Sequence, residues 1–284
     1  MNSTVPQIPV AEARALLDSV RLGQHTLLDV RQDFEYAEGH IPGATHIPLP
    51  ELADRASELD PVLPAVVYCR SGARSLAGAN LLSGLGFRDV VSMQGGILAW
   101  DGAQAQGPFD LGLSALLSAQ NALELLERAW GMELALGEYY SALAGKAGNS
   151  DAADTADGAE VAALFLRLAG FEDKHRRTLA EIWKRLGGAD VAAFEERART
   201  AVAPGVLEGG VGVGDYLGLL GDPASMPEAL ELAMAVEAQA QDLYLRRAKG
   251  EADPDLRRTL LLLAGEEKAH LKVLGAFVDG RKSF

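Results

Sequence analysis

The chain of 284 residues has a single cysteine, Cys69, which opens the loop Cys69-Arg70-Ser71-Gly72-Ala73-Arg74-Ser75 directly after the apolar run Ala65-Val66-Val67-Tyr68. A thiolate rather than a thiol attacks, and its pKa falls beside cations and at a helix N-terminus. Arg70 and Arg74 supply two permanent charges able to hold an anion. Gly72 and Ala73 keep the loop small, so that the backbone N–H groups from Ser71 to Ser75 can turn inward as an anion-binding nest. The expected chemistry is nucleophilic attack by Cys69. The competing reading is a buried structural cysteine, which needs neither flanking arginine nor glycine.

A second set of residues lies in the other half of the chain. Glu172 with His175, and Glu267 with His270, each stand three apart, so on a helix each pair presents an oxygen and an imidazole to one point. The surroundings repeat as well. Leu126-Glu127-Arg128-Ala129-Trp130-Gly131-Met132-Glu133, with Tyr140 seven further on, parallels Leu230-Glu231-Leu232-Ala233-Met234-Ala235-Val236-Glu237, with Tyr244 seven further on. Leu168-Ala169-Gly170-Phe171-Glu172 parallels Leu263-Ala264-Gly265-Glu266-Glu267. One Glu-x-x-His is a weak signal, but two within a repeated context give Glu133, Glu172, His175, Glu237, Glu267 and His270 as one candidate ligand set. Four carboxylates and two imidazoles suit iron or manganese better than a softer metal. A solvated acidic face with stray histidines is the alternative. Tyr140 and Tyr244 are candidates either for partners of the ligands or for core aromatics. Glu127, Glu138, Glu231 and Glu266 are expected in solvent or paired with lysine or arginine.

The elements that must position these residues follow from pattern. Ala65–Tyr68 predicts a strand, and the spacing of Leu76, Ala77, Asn80, Leu81 and Gly84 predicts a helix from Ala73 to Leu85 whose positive end faces the sulfur. Around Asp101–Pro108 short apolar runs give way to long Ala/Leu/Glu-rich stretches, which divides the chain into an α/β part and a nearly all-helical part. Within the second part, Ala144 to Gly158 reads as a turn between the first two helices, and about Gly187 to Met226 as a long crossover. The run Gly209-Gly210-Val211-Gly212-Val213-Gly214 lacks the strand, helix and downstream acid of a dinucleotide site.

A formal charge of −14 and a pI near 4.8 argue against nucleic acid or anionic membrane as partners. Met1–Gln7 does not resemble a signal peptide and no apolar run is long enough to span a bilayer, so a cytoplasmic protein is expected. A single cysteine forms no intramolecular disulfide and suits a reducing compartment.

The segments Leu27-Leu28-Asp29-Val30-Arg31, Phe34-Glu35, Gly39-His40-Ile41-Pro42-Gly43-Ala44, Cys69 to Ser75 and Gly95-Gly96-Ile97-Leu98-Ala99-Trp100 occur in the order of a rhodanese domain, and residues 1–105 resemble one. The resemblance implies an α/β fold with a parallel sheet flanked by helices. It also implies transfer of sulfane sulfur from thiosulfate or a persulfide to a thiol acceptor through a Cys69 persulfide. Four residues between Cys69 and Arg74 make a smaller cradle than phosphate needs, which favours sulfur over phosphate or arsenate. Asp29, Arg31, His40 and His46 are expected to be structural.

Residues 111–284 resemble the rubrerythrin branch of ferritin-like four-helix bundles. That resemblance implies two iron ions (or manganese) on the six ligands, handling of peroxide or oxygen, and a homodimer. The four cysteines of a rubredoxin-like iron site do not exist here, so an electron donor would be external. Met234 stands where rubrerythrins often place a further glutamate. A non-enzymatic sulfide or redox sensor, or a mainly di-iron peroxidase with a regulatory rhodanese module, stands as the alternative function.

Overall fold

The computed structural model describes residues 5–108, 121–149, 156–203 and 226–278, with 116 and 119 as isolated positions. The chain divides into two compact units, Met1–Phe109 with Tyr244–Ala252, and Asp110–Leu243 with Asp253–Phe284.

In the first unit five parallel strands form one sheet in the order β1-β5-β4-β2-β3: β1 (Gln7–Ile8), β2 (Thr26–Asp29), β3 (Thr45–His46), β4 (Ala65–Tyr68) and β5 (Val90–Met93). The central β4 pairs Val67 with Leu28 of β2 and with Ser92 of β5. Every residue of β4 is buried, as expected of a parallel strand covered on both faces. Its side chains alternate: Ala65 and Val67 enter a core with Leu28, Val30, Leu52 and Leu82, whereas Val66 and Tyr68 enter one with Leu17, Leu27, Tyr36 and Met93. Burying each such valine contributes about 1.5–3 kcal/mol. The covering helices are α1 (Val10–Ser19), α2 (Asp33–Glu38), α3 (Leu52–Arg55) and α4 (Ala73–Gly84). Strand β4 and helix α4 fall where the apolar pattern predicts them, with the cysteine loop between. This arrangement is set by the chain itself: the strand ends buried, and Gly72, at φ +107, lets the backbone reverse into the helix.

The second unit contains α5 (Ala122–Asn149), α6 (Ala156–Arg185), α7 (Val191–Ala198), α8 (Met226–Lys249) as far as Leu243, and α9 (Pro254–Val278). A shared core of Leu136, Leu143, Val161, Phe165, Leu168, Leu232, Val236 and Leu274 takes residues from each of the four long helices. The fold is thus α/β followed by an all-α region of ferritin-like bundle type. The expected turn at 144–158 is narrower than its composition suggests, because α5 runs to Asn149 and α6 starts at Ala156; Ala144, Lys146 and Ala147 are sound helix formers despite Gly145. The expected crossover contains a helix that composition did not announce. Asp190 caps α7 by accepting hydrogen bonds from the amides of Ala192 (3.0 Å) and Ala193 (3.3 Å), and Phe194 packs between the rings of Trp130 and Trp183. The glycine run 209–214 lies outside the described residues. Among the described residues no helix is long and apolar enough to cross a membrane.

Candidate functional site

Cys69 follows the last residue of β4, and its side chain sits among backbone donors. The Gly72 N–H points at Sγ across 3.1 Å, and the thiol meets the Ser75 hydroxyl at 3.7 Å. Burial pushes the Cys69 pKa up, but hydrogen bonds from the amides of Ser75 and Gly72, from the Ser75 hydroxyl and from the Ser71 amide outweigh it and bring the thiol below its ordinary value. The loop is therefore a nest for a sulfur anion, formed by Ser71, Gly72 and Ser75 at the start of α4. Ala73, exposed at the first position of that helix, adds no bulk to it.

The two arginines of the loop have different fates. Arg70 is exposed beside the cysteine. Arg74 places its two terminal nitrogens on the two carboxylate oxygens of Glu35, at 2.6 and 2.7 Å, and this hydrogen-bonded pairing lowers Glu35 to about 2 against the cost of its burial. The lowering of the Cys69 pKa thus comes first from backbone amides and a hydroxyl, while much of the Arg74 fork is engaged by Glu35. Asp29 and Arg31 behave structurally, as expected. Both are buried and doubly hydrogen-bonded, and Arg31 also donates to the Gly39 carbonyl at 2.6 Å. His40 donates from Nδ1 to the Tyr36 carbonyl (3.0 Å) and stacks on the Tyr36 ring, and His46 donates from Nε2 to the Arg31 carbonyl (2.9 Å). His46 does have an acid nearby: Nδ1 lies 3.7 Å from the exposed Asp33 carboxylate.

Two features of this loop escape a local reading. Ser92, buried on β5, lies 2.9 Å from the Ser75 hydroxyl, which also reaches the Gly72 carbonyl at 3.0 Å. Gly96 has φ +57, and a Cβ there would overlap the Cys69 carbonyl oxygen and lie 2.5 Å from that of Arg70. The following amides hold the same carbonyls: Ile97 donates to Cys69 at 2.8 Å and Leu98 to Arg70 at 3.1 Å. The Gly95-Gly96 turn therefore clamps the backbone of the nucleophile. The only sequence signal for either feature was that glycine pair.

In the helical unit the six proposed ligands converge. Glu133 on α5, Glu172 and His175 on α6, Glu237 on α8 and Glu267 and His270 on α9 are all buried, the four glutamates completely. Nδ1 of His175 lies 3.1 Å from Glu133, 3.4 Å from Glu172 and 3.5 Å from Glu267. Nδ1 of His270 lies 3.1 Å from Glu237 and 3.3 Å from Glu267. Donor atoms group within 4.8 Å of one another as Glu133-Glu172-His175, Glu172-Glu237-His270 and His175-Glu267-His270. Glu172 thus belongs to a group with each histidine, and Glu267 joins both. The three groups overlap, so the six residues could hold cations, with Glu133 and His175 at one end of the cluster and Glu237 and His270 at the other.

The residues fit such a pair of ions. Neither oxygen of Glu172 accepts a hydrogen bond among the described residues, although both are buried. Four wholly buried carboxylates cost several kcal/mol each unless cations compensate them, and two histidines cannot balance four. The pairing already shows in the protein groups: burial works against charge on His270, but the hydrogen bond and charge of Glu237 hold its pKa above the ordinary histidine value. Burial likewise pushes Glu237 up, and His270 brings it below the ordinary carboxylate value.

Tyr140 donates its hydroxyl to Glu237 at 3.1 Å, and burial followed by the charges of Glu237 and Glu172 raises its pKa well above the usual phenol value. It stays protonated and orients that ligand. Tyr244 is wholly buried in its helix. Of the four glutamates expected in solvent or paired with a cation, Glu127 pairs with Arg197 at 2.8 Å, and Glu138 and Glu231 are exposed. Glu266 departs from that expectation: its carboxylate turns inward to 3.4 Å from Nε2 of His175, because residue 266 lies on the edge of the inward face that carries Glu267 and His270.

Comparison with known proteins gives two family matches. The rhodanese-like domain matches residues 10–103, and rubrerythrin matches residues 124–278. The chain is 36% identical over 100 residues to the putative sulfur carrier protein YrkF of Bacillus subtilis, covering 35% of this chain and 53% of that protein. It is 42% identical over 76 residues to the putative sulfurtransferase YtwF of Bacillus subtilis, covering 27% and 73%. It is 37% identical over 100 residues to the thiosulfate sulfurtransferase GlpE of Pseudomonas fluorescens, covering 34% and 86%. The match therefore spans about half the length of the first of these relatives. Among solved structures it is similar to the Alr3790 protein from Anabaena sp., with 32% identity, a TM-score of 0.33, and coverage of 36% of this chain and 82% of that one.

Proposed function

Because the chain belongs to the rubrerythrin family and carries a rhodanese-like domain ahead of the rubrerythrin match, we propose that it is a sulfurtransferase joined to a dinuclear metal centre. The observation that carries the first part is the amide of Gly72 aimed at Cys69 Sγ across 3.1 Å, inside a nest that lowers the thiol pKa.

The sulfur step follows from that geometry. The Cys69 thiolate attacks the sulfane sulfur of thiosulfate or of a persulfide; a new S–S bond forms, the donor's S–S bond breaks, and sulfite or a thiolate leaves with the electron pair. The resulting Cys69 persulfide is an anion, and the N–H groups of Ser71, Gly72 and Ser75 suit it as they suit the thiolate. Exposed Arg70 is placed to draw an anionic donor toward the loop. An acceptor thiolate then attacks the outer sulfur, the Cys69–sulfur bond breaks, and the Cys69 thiolate is restored. No outside oxidant or reductant enters this cycle.

In the helical unit, Glu133, Glu172, His175, Glu237, Glu267 and His270 would hold two iron or manganese ions. Such a centre supplies two-electron redox chemistry toward peroxide or oxygen. The protein's part is to deliver four buried carboxylates into the bundle core, to fix Glu237 through the Tyr140 hydroxyl, and to exclude bulk water with Phe165, Leu168, Val236 and their neighbours.

Intact mass after incubation with thiosulfate tests the sulfur half. Wild type gains one sulfur atom, reversed by a thiol, and Cys69→Ser gains none. A wild-type protein that gains no sulfur leaves the domain as a binding module and overturns the assignment.

A further inference from the structure

The two halves of the metal centre are built from repeated sequence but are not alike at one position. In each repeat the sequence Leu-Ala-Gly precedes the first ligand by one residue: Leu168-Ala169-Gly170 before Phe171 and Glu172, and Leu263-Ala264-Gly265 before Glu266 and Glu267. The residue between, Phe171 on α6 and Glu266 on α9, points at the histidine of the opposite repeat. The ring of Phe171 stacks on His270, with centroids 4.6 Å apart and planes 18° from parallel, and the Arg167 guanidinium lies over the Phe171 ring, 5.7 Å from its centroid. The carboxylate of Glu266 instead lies 3.4 Å from Nε2 of His175. That oxygen of Glu266 is shielded from solvent and accepts no hydrogen bond among the described residues.

From this juxtaposition we infer that Glu266 is a positioning residue for His175, and that the two metal positions are chemically unequal because Phe171 stands in its place beside His270. The inference rests on the metal-centre reading given above. Its physics is that of the imidazole. Nδ1 of His175 faces the ligand carboxylates, 3.1 Å from Glu133; with a metal ion on Nδ1 the ring proton would sit on Nε2, the atom that faces Glu266 at 3.4 Å. A carboxylate on that N–H fixes the tautomer and ring orientation and makes Nδ1 a stronger donor. Phe171, stacked on the face of His270, holds that ring by packing and itself offers no carboxylate to its N–H. The ion held by Glu133 and His175 is therefore the more tightly bound, and the ion held by Glu237 and His270 the more exchangeable.

Titration of the metal-free, full-length protein with Co(II), followed by visible d–d absorption, separates the two positions without recourse to turnover. Wild type should take up two equivalents in resolvable steps. Glu266→Ala should weaken the tighter step by about 10–100-fold and leave the other within about threefold. Glu266→Gln keeps shape and an acceptor oxygen while removing the charge, so its weakening should fall between wild type and Glu266→Ala. Phe171→Leu should leave the tighter step within about threefold. A tighter step unchanged in both Glu266 variants, equal weakening of both steps, or loss of the tighter step in Phe171→Leu would overturn the inference. Wild type binding fewer than two equivalents would instead overturn the metal-centre reading itself.

Discussion

Glu35 and Arg74 meet through two parallel hydrogen bonds, 2.6 and 2.7 Å, between residues 39 positions apart in sequence. The pair ties the helix that follows the first half of the sheet to the first turn after the nucleophile. It also takes up donors that would otherwise be open to an incoming anion.

The pair makes the first unit acid-sensitive in a defined window. Hydrogen bonding to Arg74 holds Glu35 at about 2 in the folded protein against the ordinary 4.5, so its contribution is fully present above about 4.5 and is lost as pH falls toward 2. Glu35→Gln should cost about 1–2 kcal/mol at neutral pH, a figure discounted for the partial exposure of Arg74, and should flatten the loss of stability in that window. Chemical denaturation of both proteins between pH 2 and 6 checks it.

Ser75→Ala removes the hydroxyl that lies beside both Cys69 Sγ and the Ser92 hydroxyl. The Cys69 pKa should rise toward the ordinary cysteine value, and iodoacetamide alkylation at neutral pH should slow about threefold to tenfold. A midpoint of the alkylation–pH curve that does not move would exclude the hydroxyl as a stabiliser of the thiolate.

Gly96→Ala forces a Cβ into the carbonyl oxygens of Cys69 and Arg70 at a positive φ. The expected cost is about 2–4 kcal/mol, together with loss of the sulfur gain seen by mass, because the backbone of the nucleophile must shift. Gly84→Ala, where a Cβ meets nothing within 4 Å, serves as the control and should be neutral or mildly stabilising.

In the bundle, Glu172→Ala removes a ligand common to both positions and should abolish both equivalents of iron, whereas Glu133→Ala should spare one. Elemental analysis after iron-replete expression distinguishes them. Tyr140→Phe keeps the stoichiometry and costs about 1 kcal/mol, the worth of its hydrogen bond to Glu237.

Chelation should lower the melting temperature of the wild-type bundle, since ions that bind only the folded state stabilise it by about 2.7 kcal/mol at a hundredfold excess over Kd. The Glu172→Ala protein, having no ions to lose, should show no such drop.

What the sequence determined by itself is whatever rests on local periodicity. The run Ala65–Tyr68 reads as a buried strand, and Glu-x-x-His places two donors on one helical face wherever that helix sits, so the cysteine loop and the six residues that converge in the bundle were legible from spacing. The capped helix Val191–Ala198 was hidden because its eight residues are too few for a clear period and its anchor, Phe194, is held by Trp130 and Trp183 from other helices. The tertiary structure alone decided how the polar groups are shared: Arg74 turns to Glu35, Ser92 on β5 meets Ser75 on α4, and Glu266 reaches His175 from another helix. The physical reason is that a residue's type and its neighbours in sequence fix which face it lies on, whereas the partner it meets on that face is set by packing between elements distant along the chain.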